Sequence, residues 1–235
     1  MQTGTGLRWR IERSQTGRSL RSQRGLYRWH VFYFIFRMES LFPLETFLPP
    51  GFHYYSDFIS RIEEVQLIRE IEKVPLRTFI FQGFEAKRKV ASFGYDWNFT
   101  NRRLTKGKAV PANFRPLIEK VTQRLSLRAD DIGEVLLTEY PAGSVINWHR
   151  DAPPFKLIAG ISLNSDSVFR FRPHDKMKQG RNSVLSIALK RRSLYVLSGE
   201  SRTDWEHSIT PVHDLRYSIT LRTINPMFRV ESEVG

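Results

Sequence analysis

The sequence predicts an α+β fold in which helices come first and a β-rich half follows. Two segments with the apolar spacing of helices precede Gly133, and eight short β-branched and aromatic runs, separated by turns, follow it. Many short strands without helices between them are typical of a sandwich or barrel rather than of alternating βαβ units. We therefore expect helices that buttress a β core.

The first helix is predicted to begin after Ser60. Ser60 and Glu63 have the spacing of a capping box, in which each side chain binds the backbone amide of the other residue. An apolar stripe then extends toward Val74 and consists of Ile62, Val65, Ile68 and Ile71. A second helix is predicted from near Pro111, with one apolar face made of Phe114, Leu117, Ile118, Val121 and Leu125.

The β-rich half contains eight predicted strands, and turn residues such as Gly, Pro, Asn and Asp lie between them. In chain order the strands are Glu134 to Tyr140, Val145 to His149, Leu157 to Leu163, Val168 to Phe171, Ser183 to Leu189, Ser193 to Leu197, Trp205 to Ile209 and Arg216 to Thr223.

Composition narrows the range of functions. The chain has 235 residues, of which 40% are hydrophobic and 13% aromatic, and this argues against wholesale disorder. The absence of cysteine excludes disulfides, thiol catalysis and thiolate-bound zinc. The net charge of +13 suggests a polyanionic partner such as nucleic acid. No stretch resembles a membrane-spanning helix, and we expect a monomer in the cytoplasm, nucleoid or nucleus.

Residues 1–37 differ in composition from the rest. They contain eight arginines, no lysine and a single acid, Glu12. Three interpretations compete: a disordered basic arm, a transit-type peptide, or sequence upstream of a true start at Met38. We favour the third, because Met38 opens directly into domain-like sequence. We expect residues 38–132 to form a helical buttress with a nucleotide-recognition lid and residues 133–235 a β catalytic core, together one structural domain.

Two histidines and one aspartate form a candidate metal site. Residues two apart on a strand face the same way, so His149 and Asp151 can reach one ion from a strand end. His207 follows 58 residues later on another predicted strand. Two imidazoles and a carboxylate leave three coordination positions open, which suits Fe(II) oxygen chemistry. The alternative is a core histidine beside a turn-forming aspartate, because His-x-Asp alone is common.

The last predicted strand has one polar face and one apolar face. Arg216, Ser218, Thr220 and Arg222 alternate with Tyr217, Ile219 and Leu221. The Cα atoms of the two arginines lie roughly 20 Å apart on a strand, and side chains that lean together leave a gap for a short diacid. A guanidinium pairs well with a carboxylate. A merely solvated face would accept Lys and Glu equally well, so the pattern favours a bound dicarboxylate.

These motifs together resemble the AlkB-like 2-oxoglutarate- and Fe(II)-dependent dioxygenases. The resemblance covers roughly residues 45 to 224. It rests on Tyr140-Pro141-x-Gly143 before His149-x-Asp151, on Ser198-Gly199-Glu200-Ser201-Arg202 before His207, and on the run from Arg216 to Arg222. It implies an enzyme with a double-stranded β-helix (jelly-roll) core that uses Fe(II), 2-oxoglutarate and O₂. The ligands implied for Fe(II) are His149, Asp151 and His207.

The same resemblance implies roles in the co-substrate pocket. Arg216 would bind the distal carboxylate of 2-oxoglutarate with help from Tyr140, and Ser218 belongs to the same polar strip. Arg222 would meet the end nearer the metal or pair with Asp151. The chain departs from the family pattern at Thr138 and Ser218, where Asn is frequent, and at Pro153, where repair enzymes carry an acid. These departures leave the substrate open.

The predicted reaction is oxidative removal of N-alkyl groups from bases in DNA or RNA, with formaldehyde, succinate and CO₂ as products. Such a base must be single-stranded or flipped out of a duplex, and it needs aromatic faces and a cationic rim. Candidate stacking residues are Phe93, Tyr95 and Trp97, and candidate cations are Lys87, Arg88 and Arg102. Further candidates for phosphate contacts are Lys176, Lys178, Arg181, Lys190, Arg191 and Arg192.

Duller interpretations stay open for these residues. The aromatic residues are equally well explained as core side chains, and basic runs are usually solvated surface. Two alternatives for the function also stand beside nucleic-acid dealkylation. One keeps the iron chemistry but acts on a protein side chain or a small molecule, as the departure at Pro153 suggests. The other is a basic nucleic-acid-binding module with a vestigial metal pocket.

Overall fold

The computed structural model describes residues 48–81, 83–98 and 101–228. The predicted basic extension of residues 1–37 and the start at Met38 lie outside the described residues. The division between a buttress with its lid and a catalytic core at residues 132 and 133 stays a prediction. None of the helices in the described ranges is long and apolar enough to cross a bilayer.

Three α-helices and twelve strands make up the described part of the chain. The helices are α1 (Arg61–Glu72), α2 (Arg115–Arg124) and the short α3 (Glu200–Thr203). The strands are β1 (Phe52–Tyr55), β2 (Arg77–Phe81), β3 (Phe84–Asn98), β4 (Arg103–Lys106), β5 (Ile132–Tyr140), β6 (Ile146–His149), β7 (Phe155–Leu163), β8 (Ser167–Pro173), β9 (Leu185–Leu189), β10 (Leu194–Leu197), β11 (Trp205–Ile209) and β12 (Arg216–Ile224). The eight strands predicted after Gly133 are β5 to β12.

The capping box that predicted α1 is confirmed. The Ser60 hydroxyl accepts a hydrogen bond from the Glu63 amide at 3.2 Å, and the Glu63 carboxylate accepts one from the Ser60 amide at 2.7 Å. The predicted apolar face is only partly right, because Ile62 is 72% exposed and Val65 is 41% exposed. Glu64 takes the inward position instead, since its carboxylate forms an ion pair with Arg191 at 2.7 Å. A buried charge needs such a partner. The buried face of α1 therefore consists of Glu64, Leu67 and Ile71.

The strands form two antiparallel sheets. The larger sheet has the order β1-β10-β7-β12-β5-β3-β2, and β4 pairs with β3 outside this path. The smaller sheet has the order β6-β11-β8-β9. The interleaving of distant strands, such as β10 beside β7 and β11 beside β6, is that of a double-stranded β-helix. The predicted jelly-roll core buttressed by helices is confirmed.

Two hydrophobic clusters lie on the two faces of the larger sheet. The outer cluster joins α1 and α2 to the sheet and includes Tyr217, Ile219 and Leu221 of β12. The inner cluster fills the space between the sheets and includes Phe169 and Phe171 of β8. Because successive side chains of β12 point to opposite faces of the sheet, its polar side chains point toward the inner side, where the candidate site is formed.

Four strands, β1 to β4, were not predicted from the sequence, and the stacking role predicted for Phe93 is wrong. β3 pairs with β5 from Lys89 to Gly94 and then with β4 from Tyr95 onward. Gly94 has a φ of +89° and lies so close to Gly133 that a Cβ would overlap its carbonyl oxygen. Two aromatic residues of β3, one before and one after this glycine, pack on different sides of the sheet, Phe93 in the outer cluster and Trp97 against the inner one. Strict alternation predicts one face for both.

Candidate metal centre and co-substrate pocket

The fold brings the three predicted metal ligands together. His149 ends β6 and stands opposite His207 of β11 in register, and Asp151 follows two residues after His149. One potential ligand atom from each residue lies within 4.8 Å of the other two. Nε2 of His207 is 3.4 Å from Oδ2 of Asp151. Side chains far apart along the chain thus converge on a space of the size of one cation.

Neighbouring groups hold both imidazoles in a form that binds metal. Nδ1 of His149 lies 2.9 Å from the Asn147 carbonyl oxygen, so Nδ1–H donates there and Nε2 is left for an ion. The His207 ring stacks on Phe169 with an interplanar angle of 14°. Burial is the main reason that the pKa of His207 is lowered to about 3, and the nearby His149 is the second reason. The ring is therefore neutral at working pH, as a metal ligand must be.

Arg222 binds the carboxylate of Asp151. Arg222 donates from Nη2 to Oδ1 of Asp151 at 2.7 Å and from Nη1 to the Glu134 carboxylate at 2.6 Å. Burial alone would raise the pKa of Asp151, but the charge of Arg222 and the neighbouring imidazoles outweigh it and hold that pKa below its ordinary value. Asp151 is therefore an anion. Its other oxygen, Oδ2, is buried and has no hydrogen-bond partner among the described residues.

A pair of arginine contacts joins the Asp151 segment to α3. Arg202 of α3 donates from Nη2 to the carbonyl oxygens of Asp151 at 3.0 Å and Ala152 at 2.6 Å. In the opposite direction, Arg150 donates to the carbonyl oxygen of Thr203 at 2.7 Å. Because α3 leads directly into β11, these contacts connect the backbone of one ligand segment to the segment that carries His207.

The guanidinium of Arg216 is fully buried, and none of the described acidic residues forms an ion pair with it. Its side chain is among the largest fully buried ones in the described part of the chain. Nε donates to the Ser162 hydroxyl at 3.2 Å, and the guanidinium lies 4.8 Å from the centroid of the Tyr140 ring. Nη1 and Nη2 are buried and have no hydrogen-bond partner in the described ranges. Such a cation is costly unless an anion meets it.

The unsatisfied atoms fit the predicted ligands. Oδ2 of Asp151 and the two imidazoles offer an acidic, nitrogen-rich site to a divalent cation. Nη1 and Nη2 of Arg216, which have no partner within the described ranges, offer a fork to a carboxylate. Of the two alternatives for Arg222, the structure shows the contact with Asp151. The distal-carboxylate role of Arg216 stays a prediction, as do the roles of the other pocket residues.

The remaining residues of the pocket have the placement that their patterns suggest. Tyr140 is 5% exposed and stands opposite Arg216 in register, so its ring covers the guanidinium. Ser218 is buried on the same face of β12. Sequence reasoning missed Glu134 and the contact role of Arg202. Glu134 does have a signal in the sequence, because it lies six residues before Tyr140 and therefore has the same parity along β5.

The six candidate substrate-binding residues do not form one patch, because β3 distributes most of them along fifteen residues. Phe93 is 8% exposed within the outer cluster and cannot stack on a base, so this prediction was wrong. The others lie apart: Tyr95 beside Gly133, Trp97 half-buried with its ring 5.9 Å from that of Phe228, Lys87 near Gly143, Arg88 over Phe79 at 4.0 Å, and Arg102 exposed in the turn after β3. Their substrate roles stay predictions.

The two basic runs of the second half differ in their pairing. The run of residues 190–192 is neutralised by acids: Lys190 pairs with Asp166, Arg191 with Glu64 and Arg192 with Asp57. In the run of residues 176–181, Lys176, Lys178 and Arg181 are exposed, and none of them forms an ion pair with a described residue. Of these two runs, only residues 176–181 therefore keep their positive charge available for a partner.

Comparisons with known proteins agree with this geometry. The chain matches the family model described as the 2OG-Fe(II) oxygenase superfamily over residues 51–222. It is 30% identical over 174 residues to the protein named tRNA (carboxymethyluridine(34)-5-O)-methyltransferase alkbh8 of Xenopus tropicalis, an alignment that covers 72% of this chain and 26% of the relative. It is 29% identical over 190 residues to the alkylated DNA repair protein ALKBH8 homolog of Arabidopsis thaliana, covering 71% and 52%.

Among solved structures, OsALKBH1 shares the fold with a TM-score of 0.58 at 15% identity, over 75% of this chain and 98% of that one. The chain spans about a quarter of the length of the Xenopus relative and about half of the Arabidopsis relative. The matched family segment contains the metal cluster and both pocket arginines. The chain therefore belongs to the 2OG-Fe(II) oxygenase superfamily, as an AlkB-like dioxygenase that uses Fe(II), 2-oxoglutarate and O₂.

Proposed function

We propose that this dioxygenase removes N-alkyl groups oxidatively from bases of DNA or RNA. The observation that carries the proposal is a set of cations without an ion pair among the described residues, at the end of the smaller sheet where the metal ligands lie. Trp205 stands opposite Pro173, and His207 stands opposite His149. The end of β6, the start of β11 and the end of β8 therefore lie at the same end of the smaller sheet. The loop that follows Pro173 carries Lys176, Lys178 and Arg181.

Positive charge at this end of the sheet suits binding to a phosphate backbone. The loop run supplies three charges, and Arg150 beside it is exposed and bound only to the Thr203 carbonyl oxygen among the described residues. Lys and Arg side chains gain nucleic-acid affinity by releasing counterions from phosphates. The runs that face acids, such as 190–192, lack this capacity.

Trp97 and Tyr95 are the remaining candidates for stacking on a target base, and we favour Trp97. It lies three residues beyond Gly94, which stands opposite Glu134 in register. Glu134 in turn binds Arg222, which binds Asp151. The half-buried indole thus follows the part of β3 that pairs beside Glu134, and an indole face is a favourable surface for an unpaired base.

The residues of the chain have separate tasks in the proposed reaction. Fe(II) with 2-oxoglutarate and O₂ supplies the oxidising chemistry, in which the co-substrate is converted to succinate and CO₂. His149, Asp151 and His207 would hold the ion, Arg222 would orient Asp151, and Arg216 would fix the co-substrate by its distal carboxylate. An N-methyl group oxidised to N-hydroxymethyl then leaves the base as formaldehyde. The apolar inner cluster, whose Phe169 stacks on His207, would keep water from that side of the site.

The names of the relatives favour nucleic acid over other targets. The Xenopus relative is named for tRNA and the Arabidopsis relative for alkylated DNA. Pro153 and Pro154 follow the metal aspartate at the place where an acid near the base was expected. This departure supports a base different from those of the repair enzymes, and it is also the reason to test protein and small-molecule targets.

Formaldehyde release from a panel of N-methylated DNA and RNA oligonucleotides tests the proposal. We expect release from at least one oligonucleotide, together with stoichiometric succinate. If no oligonucleotide yields formaldehyde while the enzyme still turns over 2-oxoglutarate, the substrate is not a methylated base. A protein or small-molecule target is then indicated.

A charge variant tests the proposed interface separately. The variant Lys176→Gln/Lys178→Gln/Arg181→Gln should lower the slope of log Kd against log salt by about 2 to 3 for polynucleotide binding. The matched control, Arg61→Gln/Arg69→Gln/Arg77→Gln, removes the same charge from α1 and β2 and should leave the slope unchanged. An equal change of the salt slope in both variants would contradict an interface at this end of the sheet.

A further inference from the structure

Trp148, the residue before the metal ligand His149, lies on the outer face of the smaller sheet. Successive side chains of β6 point to opposite faces, so the indole of Trp148 points away from the metal site. On β8, Phe169 and Phe171 belong to the inner cluster, and the residue that follows each of them points outward. The outer face of the smaller sheet comprises the side chains of Trp148, Arg170, Arg172, Glu206 and Ser208.

The indole of Trp148 and two arginines form one group that spans three strands. β11 lies between β6 and β8, and its small residue Ser208, opposite Arg170 in register, leaves room for the ring to reach across. The guanidinium carbons of Arg170 and Arg172 lie 4.9 Å and 4.6 Å from the centroid of the Trp148 ring. Because the face of an indole attracts a guanidinium, one ring holds two cations that otherwise repel each other.

One carboxylate faces these two cations. Nε of Arg172 donates to the Glu206 carboxylate at 2.6 Å, and the other oxygen of Glu206 lies 3.2 Å from Nδ1 of His174. Nε of Arg170 donates to the Ser208 hydroxyl at 3.1 Å, and none of the described acids forms an ion pair with Arg170. Both arginines are half-buried, and an anion interacts more strongly with such cations than with fully solvated ones. The group therefore keeps positive charge in a place that suits an anion.

The outer face of the smaller sheet continues along the chain into the basic run of residues 176–181. Arg172 is followed by Pro173, which stands opposite Trp205 at the end of the sheet where the metal ligands lie. The loop with the basic run comes next. Positive side chains thus extend from this end of the sheet onto its outer face. Residues 1–37, with eight arginines and a single acid, have the same sign of charge and do not complement this face.

The chemistry of the group favours a nucleic-acid strand over an acidic protein. The fork of a guanidinium matches the oxygens of a phosphate. The planes of guanidinium groups and of indoles also accept unpaired bases by stacking. An acidic protein would use the charge of the group but not its flat surfaces.

We propose that the outer face of the smaller sheet is a second contact surface for nucleic acid, which binds the single-stranded segment beside the target nucleotide. Arg170 and Arg172 contact the phosphates of this segment, and Trp148 is a positioning residue that holds both guanidinium groups. The identity of the ligand rests on the proposed function. Because the surface lies on the side of the sheet opposite to the metal ligands, it contributes to binding and not to the chemical step.

Binding of unmethylated single-stranded oligonucleotides to the full chain loaded with Mn(II), without O₂, tests the proposal apart from turnover. Lengths of about 4 and about 16 nucleotides distinguish contacts near the metal site from a longer path. In Arg170→Gln/Arg172→Gln the Kd for the longer oligonucleotide should rise about tenfold, and the slope of log Kd against log salt should fall by about 1 to 1.5. The Kd for the shorter oligonucleotide and the Kd for Mn(II) should change little.

Three further variants separate charge from position. The matched control Arg61→Gln/Arg69→Gln removes two exposed arginines of α1 and should leave the Kd for both oligonucleotides unchanged. Trp148→Leu keeps both charges of the outer face but removes the ring, so the longer oligonucleotide should bind more weakly while the salt slope changes little. Trp148→Phe restores an aromatic face and should recover most of the affinity. An affinity of Trp148→Leu equal to that of the wild type would overturn the positioning role.

The results that would overturn the proposal differ from those that would overturn the proposed function. If Arg170→Gln/Arg172→Gln binds the longer oligonucleotide like the wild type while Lys176→Gln/Lys178→Gln/Arg181→Gln binds it more weakly, the second surface is refuted and the proposed function stands. A parallel rise of the Kd for Mn(II) would show that the arginines act on the metal site. Equally tight binding of polyglutamate through the same arginines would indicate an acidic protein. A wild type that binds neither oligonucleotide would overturn both proposals.

Discussion

Arg222 binds one oxygen of Asp151 and leaves the other free. Nη2 of Arg222 donates to Oδ1 at 2.7 Å, whereas Oδ2 has no hydrogen-bond partner within the described residues. Oδ2 lies 3.4 Å from Nε2 of His207. The protein thus fixes the carboxylate through one oxygen and directs the other toward the two imidazoles. This arrangement suits a carboxylate that binds a metal through a single oxygen.

Replacement of Arg222 should weaken metal binding. In Arg222→Met the Asp151 carboxylate loses its orienting partner, and we expect the Kd for Mn(II) to rise by roughly 10- to 100-fold. Electron paramagnetic resonance titration without 2-oxoglutarate measures this directly. Arg170→Gln is the control, because Arg170 donates to the Ser208 hydroxyl and is not bound to Asp151. An unchanged Mn(II) affinity in Arg222→Met would contradict an orienting role.

Replacement of His207 should abolish both metal binding and turnover. His207→Ala leaves only His149 and Asp151, and two ligands hold a divalent ion poorly. We expect no saturable Mn(II) binding and no succinate formation, while the far-ultraviolet circular dichroism spectrum stays that of the wild type. His213→Ala, at an exposed position, should behave as wild type. Retained turnover in His207→Ala would remove this residue from the ligand set.

Replacement of Arg216 should separate stability from co-substrate binding. Before 2-oxoglutarate binds, Arg216 is a buried cation whose Nη1 and Nη2 have no hydrogen-bond partner among the described residues, and an apolar replacement of such a group is often neutral or stabilising. We therefore expect the ligand-free Tm of Arg216→Met to equal or exceed that of the wild type.

With 2-oxoglutarate bound, the difference in Tm between the wild type and Arg216→Met should have the opposite sign. At 2-oxoglutarate concentrations of about 100 times Kd, the wild type loaded with Mn(II) should gain about 2.7 kcal/mol. This corresponds to a rise in Tm of several degrees. Arg216→Met should show no rise, as measured by calorimetry without O₂. A full rise in the variant would place the co-substrate elsewhere.

The metal cluster and the β core could be predicted from the sequence because local rules govern them. The period of two along β12 and the His-x-Asp spacing each depend on residues that are close in the chain. The buried face of α1 could not be predicted, because it depends on a pair between Glu64 and Arg191, 127 residues apart. The placement of Phe93 depends on the backbone of Gly94, where a close approach to β5 shifts the alternation.

The support for the site was also beyond the reach of sequence spacing. Arg202 meets Asp151 across 51 residues, and Arg222 meets Glu134 across 88. Arginine contacts to backbone carbonyl oxygens leave no pattern in the sequence, because any residue supplies the acceptor. The long β3 was missed because charged residues from Glu85 to Lys89 interrupt its apolar alternation.

The contact between Arg202 and the Asp151 segment yields the last prediction. In Arg202→Met the carbonyl oxygens of Asp151 and Ala152 lose their donor, at a cost of about 1 to 3 kcal/mol. Hydrogen exchange at residues 150–153 should therefore become faster, and the Kd for Mn(II) should rise. Arg150→Met removes the exposed reciprocal contact with Thr203 and should change both measurements less. If the two variants are equal in both measurements, burial of Arg202 does not matter for the ligand segment, and α3 would simply be a turn between strands.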